Sequence, residues 1–274
     1  MSAGIAPYAP LLDVDAGWDA HRTVFTLGPG DLVEANLALA RAAVAHVDLR
    51  GHRGVHVRMG AIDVIPFVPL TGDYVAAHWL AEALSIRLAD ELALPVYRYG
   101  VGSRSLFDVR RDGFEGLAES MLLTPPDWGP HHPHPTAGAV AVGVRDVLIA
   151  FNVCLAQDDL SLARHVARTV RTSGGGLHGV MALGWRTPHL GCTQVSMNLT
   201  DWHRTPPHVV LERIRELAEV SGSELVGMIP LGAMEAAATF YATDLEGAVA
   251  RMGLRVVKPF ELREKVLEYA LGLA

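Results

Sequence analysis

The sequence predicts an α/β fold with two similar subdomains, and two features of the chain support this class. Short segments rich in strand-forming residues alternate with longer amphipathic segments along the whole of the 274 residues. The alternation begins again near Val147, so the expected subdomains are residues 1–146 and 147–274. A cleft between two such subdomains is a natural place for a ligand.

In the first half, turn residues and helix caps separate the elements. Gly28-Pro29-Gly30 is a turn sequence. Asp31 and Asp73 are good N-caps, because their side chains can accept hydrogen bonds from the first backbone N–H groups of a helix. The expected strands are residues 11–15, 22–27, 62–68 and 96–99, and the expected helices are residues 31–46 and 74–92.

The second half follows an irregular segment, Gly129 to Gly138, which holds three prolines and three histidines in ten residues. The expected strands are then residues 147–153, 180–185, 193–199 and 225–229, and the expected helices are 160–171, one after Pro206-Pro207 and two at the end. Gly174-Gly175-Gly176 lacks the preceding strand and the GxGxxG spacing of a dinucleotide site. We therefore interpret it as a flexible hairpin loop.

Composition and charge exclude several classes of protein. Half of the residues are hydrophobic, but no apolar run reaches the ~18 residues that span a bilayer. Residues 1–10 lack the features of a signal peptide, so we expect a cytoplasmic protein without a membrane partner. The formal charge is −7 and the longest basic run is Arg110-Arg111, which argues against a nucleic-acid partner. Cys154 and Cys192 form no CxxC motif and suggest neither a zinc knuckle nor a disulfide framework.

The densest polar segment is the loop from His52 to Gly60, directly before an apolar strand. On extended backbone His56 and Arg58 face the same side, which suits a proton carrier beside a carboxylate anchor. A solvated surface loop is the alternative. A metal site formed by His52 and His56 at helical spacing is disfavoured, because Gly54 lies between them.

Two further groups of residues are candidates for binding. Asp13 and Asp15 flank Val14 on the first strand, where they could orient a histidine, bind a cationic group, or simply end the strand. Arg22 could bind an anion or lie at the surface. His131, His132 and His134 invite a metal interpretation, but the neighbouring prolines disfavour a regular ligand scaffold, and we favour a loop that grips a planar ligand.

Several segments, in the same order, resemble the glutamate formimidoyltransferase family. The N-terminal matches are Leu11–Gly17, Arg22–Val24 and the loop His52–Val64, in which Gly54, His56, Arg58–Ala61 and Asp63-Val64 reproduce the most specific motif. The later matches are Gly129–Pro135, Gly138, Gly143, Leu148–Asn152, Gln194–Leu199 and Glu224–Gly227. The resemblance covers nearly the whole chain.

The resemblance implies transfer of a formimidoyl group from N-formimidoyl-L-glutamate to tetrahydrofolate in histidine degradation, with no metal. It implies a homodimer in which each half has a mixed sheet with helices on one face, and folate in a channel between the halves. His56 takes the place of the catalytic histidine. We expect Asp15 to hold its tautomer, and Arg58, Arg22 and Asp13 to bind substrate. The implied folate-binding stretch is Gly129, Pro130, His131, His132, Pro133, His134, Pro135, Thr136, Ala137 and Gly138.

The chain also departs from the family pattern near the chemistry. Val55 stands where the family has Glu, Val57 where it has Pro, and His21 where it has Asn. The family's first strand and helix, with an Asn-Phe-Ser-Glu-Gly segment, have no match before Leu11, so we expect self-association to cover the strand edge. A related one-carbon transferase acting on another amine, or a non-catalytic folate-binding relative, are therefore alternatives.

Overall fold

The computed structural model describes residues 4–52 and 54–274. The chain divides into two compact units. The first unit runs to Leu11 and continues over residues 27–146, and the second contains residues 12–26 and 147–274. The α/β class is confirmed. Residues 12–26 belong to the second unit although they come from the N-terminal half, and the boundary expected at Val147 stays a prediction.

The first unit is built on a parallel three-stranded sheet. Its elements are α1 (Leu32–His46), β3 (Asp63–Phe67), α2 (Tyr74–Leu92), β4 (Val96–Gly100), α3 (Leu106–Arg110), α4 (Gly113–Leu123) and β5 (Val140–Val144). The strand order is β3-β5-β4, with β5 in the centre. The side chains of Asp31 and Asp73 cap α1 and α2 as the sequence predicted.

Helices cover both faces of this sheet, which corrects the expectation of helices on one face. Val140 and Val142 of β5 pack in one core cluster with α2, whereas Ala141 packs on the opposite face with Leu117 and Met121 of α4. Every residue of β5 is buried, as is usual for a central parallel strand. The sequence analysis did not predict α3 and α4.

The second unit has an antiparallel sheet and a separate hairpin. The hairpin strands are β1 (Leu11–Gly17) and β2 (Arg22–Leu27), and the later elements are β6 (Ile149–Leu155), α5 (Leu160–Val170), β7 (Val180–Thr187), β8 (Cys192–Leu199), α6 (Pro207–Arg215), β9 (Val220–Val226), α7 (Leu231–Phe240), α8 (Leu245–Met252), α9 (Leu254–Val257), α10 (Leu262–Lys265) and α11 (Leu267–Ala270). The sheet order is β7-β8-β6-β9. The two expected closing helices are thus followed by shorter ones.

The two faces of this second sheet differ in character. Phe151 and Val153 of β6 lie in the large apolar core with residues of α5 to α8. The alternate residues Asn152 and Cys154 lie on the other face, since side chains alternate along a strand. That face carries buried polar side chains, including Gln194. The strand alternation therefore gives this sheet one apolar face and one face with buried polar side chains.

The triple glycine has a different role from the one predicted. Thr172–Gly174 form a 3-10 turn, and Gly175 has a φ of 79°, a left-handed conformation that suits glycine. The segment therefore connects α5 to β7, a helix to a strand, and is not a hairpin loop.

Among the described residues, no helix is long and apolar enough to cross a membrane.

Candidate functional site

His56 lies in the irregular loop before β3 and is partly buried. Its Nδ1 is 3.1 Å from the carbonyl oxygen of Val57. Because a carbonyl oxygen can only accept, Nδ1 carries the hydrogen in this contact. The neutral ring then has its basic lone pair on Nε2. The contact with Val57 therefore favours the tautomer in which Nε2 can take up a proton.

An ion pair braces the loop that holds His56. Asp63 has a φ of 59°, and its Oδ1 accepts a hydrogen bond of 2.8 Å from the backbone N–H of Met59. Its Oδ2 lies 2.9 Å from the guanidinium of Arg110, and both side chains are only 12% exposed. The same guanidinium donates to the carbonyl oxygen of Val57. Arg110 therefore connects the end of α3 to the carbonyl that His56 contacts.

Arg58 is already bound to a carboxylate within the first unit. Its two terminal nitrogens donate to Glu115 of α4 at 3.0 and 2.6 Å, in a bidentate arrangement. The hydrogen bond from Arg58 lowers the pKa of Glu115 below its ordinary value. Glu115 is 68% exposed, whereas Arg58 is 15% exposed. The arginine is therefore fixed and its partner is accessible to solvent, so a ligand carboxylate could compete with Glu115.

The loop 129–138 is bonded directly to the chain beyond Arg58. Gly60 and Gly138 form an isolated antiparallel bridge. The N–H of Ala61 donates to the carbonyl of Ala137 at 2.9 Å, and the N–H of Ala139 donates to that of Met59 at 3.1 Å. The two segments for which the sequence predicted catalysis and folate binding are therefore neighbours in the first unit.

His134 stabilises the end of this loop. Its Nδ1 accepts from the backbone N–H of Ala137 at 3.1 Å, and its backbone pairs with Gly138 in both directions at 2.9 Å. His131 and His132 are exposed in the same loop. No group of three or more metal-ligating side chains lies among the described residues.

In the second unit, Asp13 and Asp15 face the same side of β1, as their spacing predicted. Asp13 pairs with Lys265 at 2.7 Å. Asp15 is 8% exposed, contacts Lys258 at 2.7 and 2.9 Å, and accepts from the N–H of Gly227 at 3.1 Å. Arg22 is partly buried at the start of β2. The aspartates thus fasten the hairpin to the second unit, and the pairing of Asp15 with His56 stays a prediction.

A second set of buried polar side chains lies on the polar face of the sheet. Glu224 Oε1 accepts from Asn152 at 2.9 Å and from Gln194 at 3.1 Å. The indole N–H of Trp185 donates to the amide oxygen of Gln194 at 3.0 Å. Glu224 Oε2 lies 3.7 Å from Lys258. We call Asn152, Trp185, Gln194 and Glu224 the Glu224 network.

Sequence reasoning missed several of these partners. It assigned no role to Arg110, Glu115, Lys258 or Lys265, and it used Asp63 only as part of a motif. Arg110 and Asp63 are 47 positions apart and Lys258 and Asp15 are 243 apart, so spacing along the chain carries no sign of their contact. The adjacent arginines Arg110-Arg111 were visible, but only the fold distinguishes the buried one from the exposed one.

Comparison with known proteins identifies the family of the chain. A family model described as the N-terminal subdomain of the formiminotransferase domain matches residues 3–145, and a second, for the formiminotransferase domain, matches residues 150–272. The chain belongs to the formiminotransferase family.

Three relatives illustrate the similarity. The chain is 38% identical to a formimidoyltransferase-cyclodeaminase of Sus scrofa over 96% of its own length and 54% of the relative's. It is 35% identical to glutamate formimidoyltransferases of Streptococcus pyogenes and Thermoplasma acidophilum, covering 84% and 82% of those proteins. The chain therefore spans about half the length of the first relative and most of the other two.

Proposed function

We propose that this protein transfers a formimidoyl group from N-formimidoyl-L-glutamate to tetrahydrofolate, as a cytoplasmic homodimer in histidine degradation. Relatives named glutamate formimidoyltransferase share 35% identity with it over most of their length. The observation that carries the proposal is the direct bonding of the segment after His56 to the loop 129–138, through the bridge of Gly60 with Gly138 and the hydrogen bond from Ala61 to Ala137 at 2.9 Å. A proton carrier and a candidate folate loop are thus held together by backbone hydrogen bonds.

His56 supplies acid–base catalysis in this mechanism. The attack of folate N5 on the formimidoyl carbon gives a tetrahedral intermediate, and glutamate leaves only when its nitrogen receives a proton. Nε2 of His56 takes up the proton released by the attacking amine and delivers it to the departing one. General acid–base catalysis of this kind increases the reaction rate by ~10²–10⁴-fold. The contact of Nδ1 with Val57 keeps the ring in the tautomer that this exchange needs.

The charged side chains divide the remaining tasks. Arg58 binds a substrate carboxylate in place of Glu115, which suits a planar bidentate guanidinium. Arg22 and Asp13 are candidates for donor binding. Asp15 is engaged by Lys258 and the N–H of Gly227, and no role beside His56 is assigned to it. Because the whole chain carries a formal charge of −7, local arginines are needed to attract an anionic donor. Folate lies against the loop 129–138 and no metal takes part.

A related transferase acting on another amine is the second candidate. Val55 and Val57, which flank His56, are 55% and 53% exposed. Exposed apolar side chains at these positions favour contact with an apolar part of a donor over contact with a charged one. N-formimidoyl derivatives of glutamate, glycine and leucine, supplied separately with tetrahydrofolate, distinguish the two candidates by their kcat/KM values.

The central test replaces His56. We expect His56→Ala and His56→Gln to reduce transfer by at least ~100-fold, while calorimetry shows folinic acid binding within a few-fold of the unchanged protein. Retained turnover in both variants contradicts the role of His56.

Activity that is destroyed by dialysis against a chelator and restored by zinc contradicts the metal-free mechanism. Sedimentation shows whether the protein is a dimer.

A further inference from the structure

The only two cysteines of the chain meet in the fold. They are 38 positions apart, yet their sulfur atoms lie 2.8 Å from each other. Cys154 is on β6, opposite Gln194 of the neighbouring strand β8, and Cys192 lies two residues before Gln194 on that strand. Residues two apart on a strand face the same side, so both thiols lie on the polar face of the sheet.

The pair adjoins the Glu224 network. Gln194 Nε2 donates to the sulfur of Cys154 at 3.3 Å and to Glu224 at 3.1 Å. On the other side, the hydroxyl of Thr187 lies 3.3 Å from the sulfur of Cys192. A change at the sulfur atoms is therefore transmitted to Gln194 and, through its amide oxygen, to Trp185.

We propose that Cys154 and Cys192 are a modification site that forms a reversible disulfide with oxidants of the glutathione-disulfide class, and that this bond alters the Glu224 network. A disulfide bond is ~2.05 Å long, so the sulfur atoms need to approach by less than ~1 Å. Because Cys154 and Cys192 are diagonal neighbours on adjacent strands, closing the bond requires a small backbone adjustment in addition to side-chain rotation. The site is independent of the proposed transferase activity.

The two thiols have unequal parts in the reaction. Cys154 is 3% exposed, and burial together with contact with Cys192 raises the pKa of its thiol to about 12. Cys192 is only partly buried and is the one that an oxidant can reach. Its thiolate attacks oxidised glutathione, forming a mixed disulfide and releasing one glutathione thiolate.

The second step closes the bond within the protein. The sulfur of Cys154 attacks that of Cys192, a new S–S bond forms, and the second glutathione leaves with the proton of Cys154. Two cysteine thiols are thus oxidised and one glutathione disulfide is reduced to two thiols. The contact distance makes this step intramolecular, which compensates for the weak acidity of Cys154.

Incubation of the full chain with oxidised glutathione tests the proposal. We expect the intact mass to fall by two hydrogens, and a peptide map without reductant to link Cys154 to Cys192. The unfolding temperature rises by on the order of 5–10 °C and returns with dithiothreitol, since the closed loop restricts the unfolded chain. Tryptophan fluorescence changes on oxidation, and Trp185→Phe removes that change although the other tryptophans remain.

Single replacements complete the experiment. In Cys154→Ser the mixed disulfide at Cys192 accumulates, whereas in Cys192→Ser the remaining thiol stays unmodified in the folded protein. Two thiols that still titrate after exposure to the oxidant overturn the proposal, as does a stable glutathione adduct on the unchanged chain. A disulfide that forms without any change in Trp185 fluorescence overturns its link to the Glu224 network.

Discussion

The guanidinium of Arg110 lies 2.9 Å from the carboxylate of Asp63 and also donates to the carbonyl oxygen that His56 contacts. One side chain thus reaches both the start of β3 and the loop of the candidate catalytic histidine. A lysine at this position could keep the charge but not the planar pair of directed donors. Arg110 is therefore a positioning residue for His56 in the proposed mechanism.

Arg110→Lys tests this role. We expect kcat to fall about 10-fold or more, because a displaced Val57 carbonyl no longer orients the imidazole, and the pH–rate profile to shift while folinic acid affinity is retained. Arg111→Lys is the matched control, since Arg111 is adjacent, 59% exposed, and contacts Asp108 and the ring of Phe107 within its own segment. Equal kinetics and equal pH profiles for the two variants contradict the positioning role.

Gly138→Ala should separate the two loops of the first unit. Gly138 has a φ of 66°, and a Cβ there would lie 2.1 Å from the carbonyl oxygen of Met59. Gly72→Ala is the control, because Gly72 has a φ of 76° but open space around a Cβ. We expect the control to lose about 1 kcal/mol from the left-handed conformation alone.

The Gly138 variant should lose clearly more unfolding free energy than the control, together with at least about 10-fold in folinic acid affinity if the loop binds folate. Chemical denaturation and calorimetry measure the two quantities. Equal destabilisation in both variants shows that the close approach of Gly138 to Met59 is unimportant for stability.

Lys258→Met tests the attachment of the β1–β2 hairpin to the second unit. The change leaves the carboxylate of Asp15 with the N–H of Gly227 and the more distant Lys265, at 3.6 Å. Breaking a buried pair of this kind costs about 3 kcal/mol. Arg213→Met, which removes an exposed pair with Glu216, should cost less than about 1 kcal/mol. Equal losses of unfolding free energy in the two variants would contradict the proposal that Lys258 attaches the hairpin to the second unit.

Asp15→Asn in the Lys258→Met background should recover part of the lost stability, because the double change leaves no unpaired charge at position 15, whereas Glu224 loses Lys258 in the single and the double variant alike. A double variant less stable than either single one contradicts the ion-pair explanation. The comparison uses equilibrium unfolding at one pH and one salt concentration.

His208 should make the second unit sensitive to acid. It is 4% exposed, and burial lowers the pKa of its imidazole. A lowered folded-state pKa means that the unfolded chain binds the proton more readily, so stability is lost as the pH falls from the ordinary histidine value, near ~6.5, towards the folded value. His208→Leu should show a smaller loss of unfolding free energy between pH 7.5 and 5.5. A loss as large in the variant as in the original chain contradicts this assignment.

The sequence by itself determined the class of fold and the position of the candidate loops. Alternating segments, the capping side chains of Asp31 and Asp73, and the Gly/Pro-rich stretch 129–138 are local signals, because each depends on neighbours along the chain. The motif around His56 likewise lies within one short segment. These features were readable because the physical interactions behind them span only a few residues.

Only the tertiary structure decided which side chains meet. The hairpin of residues 12–26 belongs to the second unit, Asp15 pairs with Lys258, and the sulfurs of Cys154 and Cys192 come within 2.8 Å of each other. Helices on both faces of the first sheet were likewise invisible in the sequence. Such contacts depend on strand register and on packing between distant segments, and a charged residue carries the same local pattern whether its partner is water or a buried carboxylate.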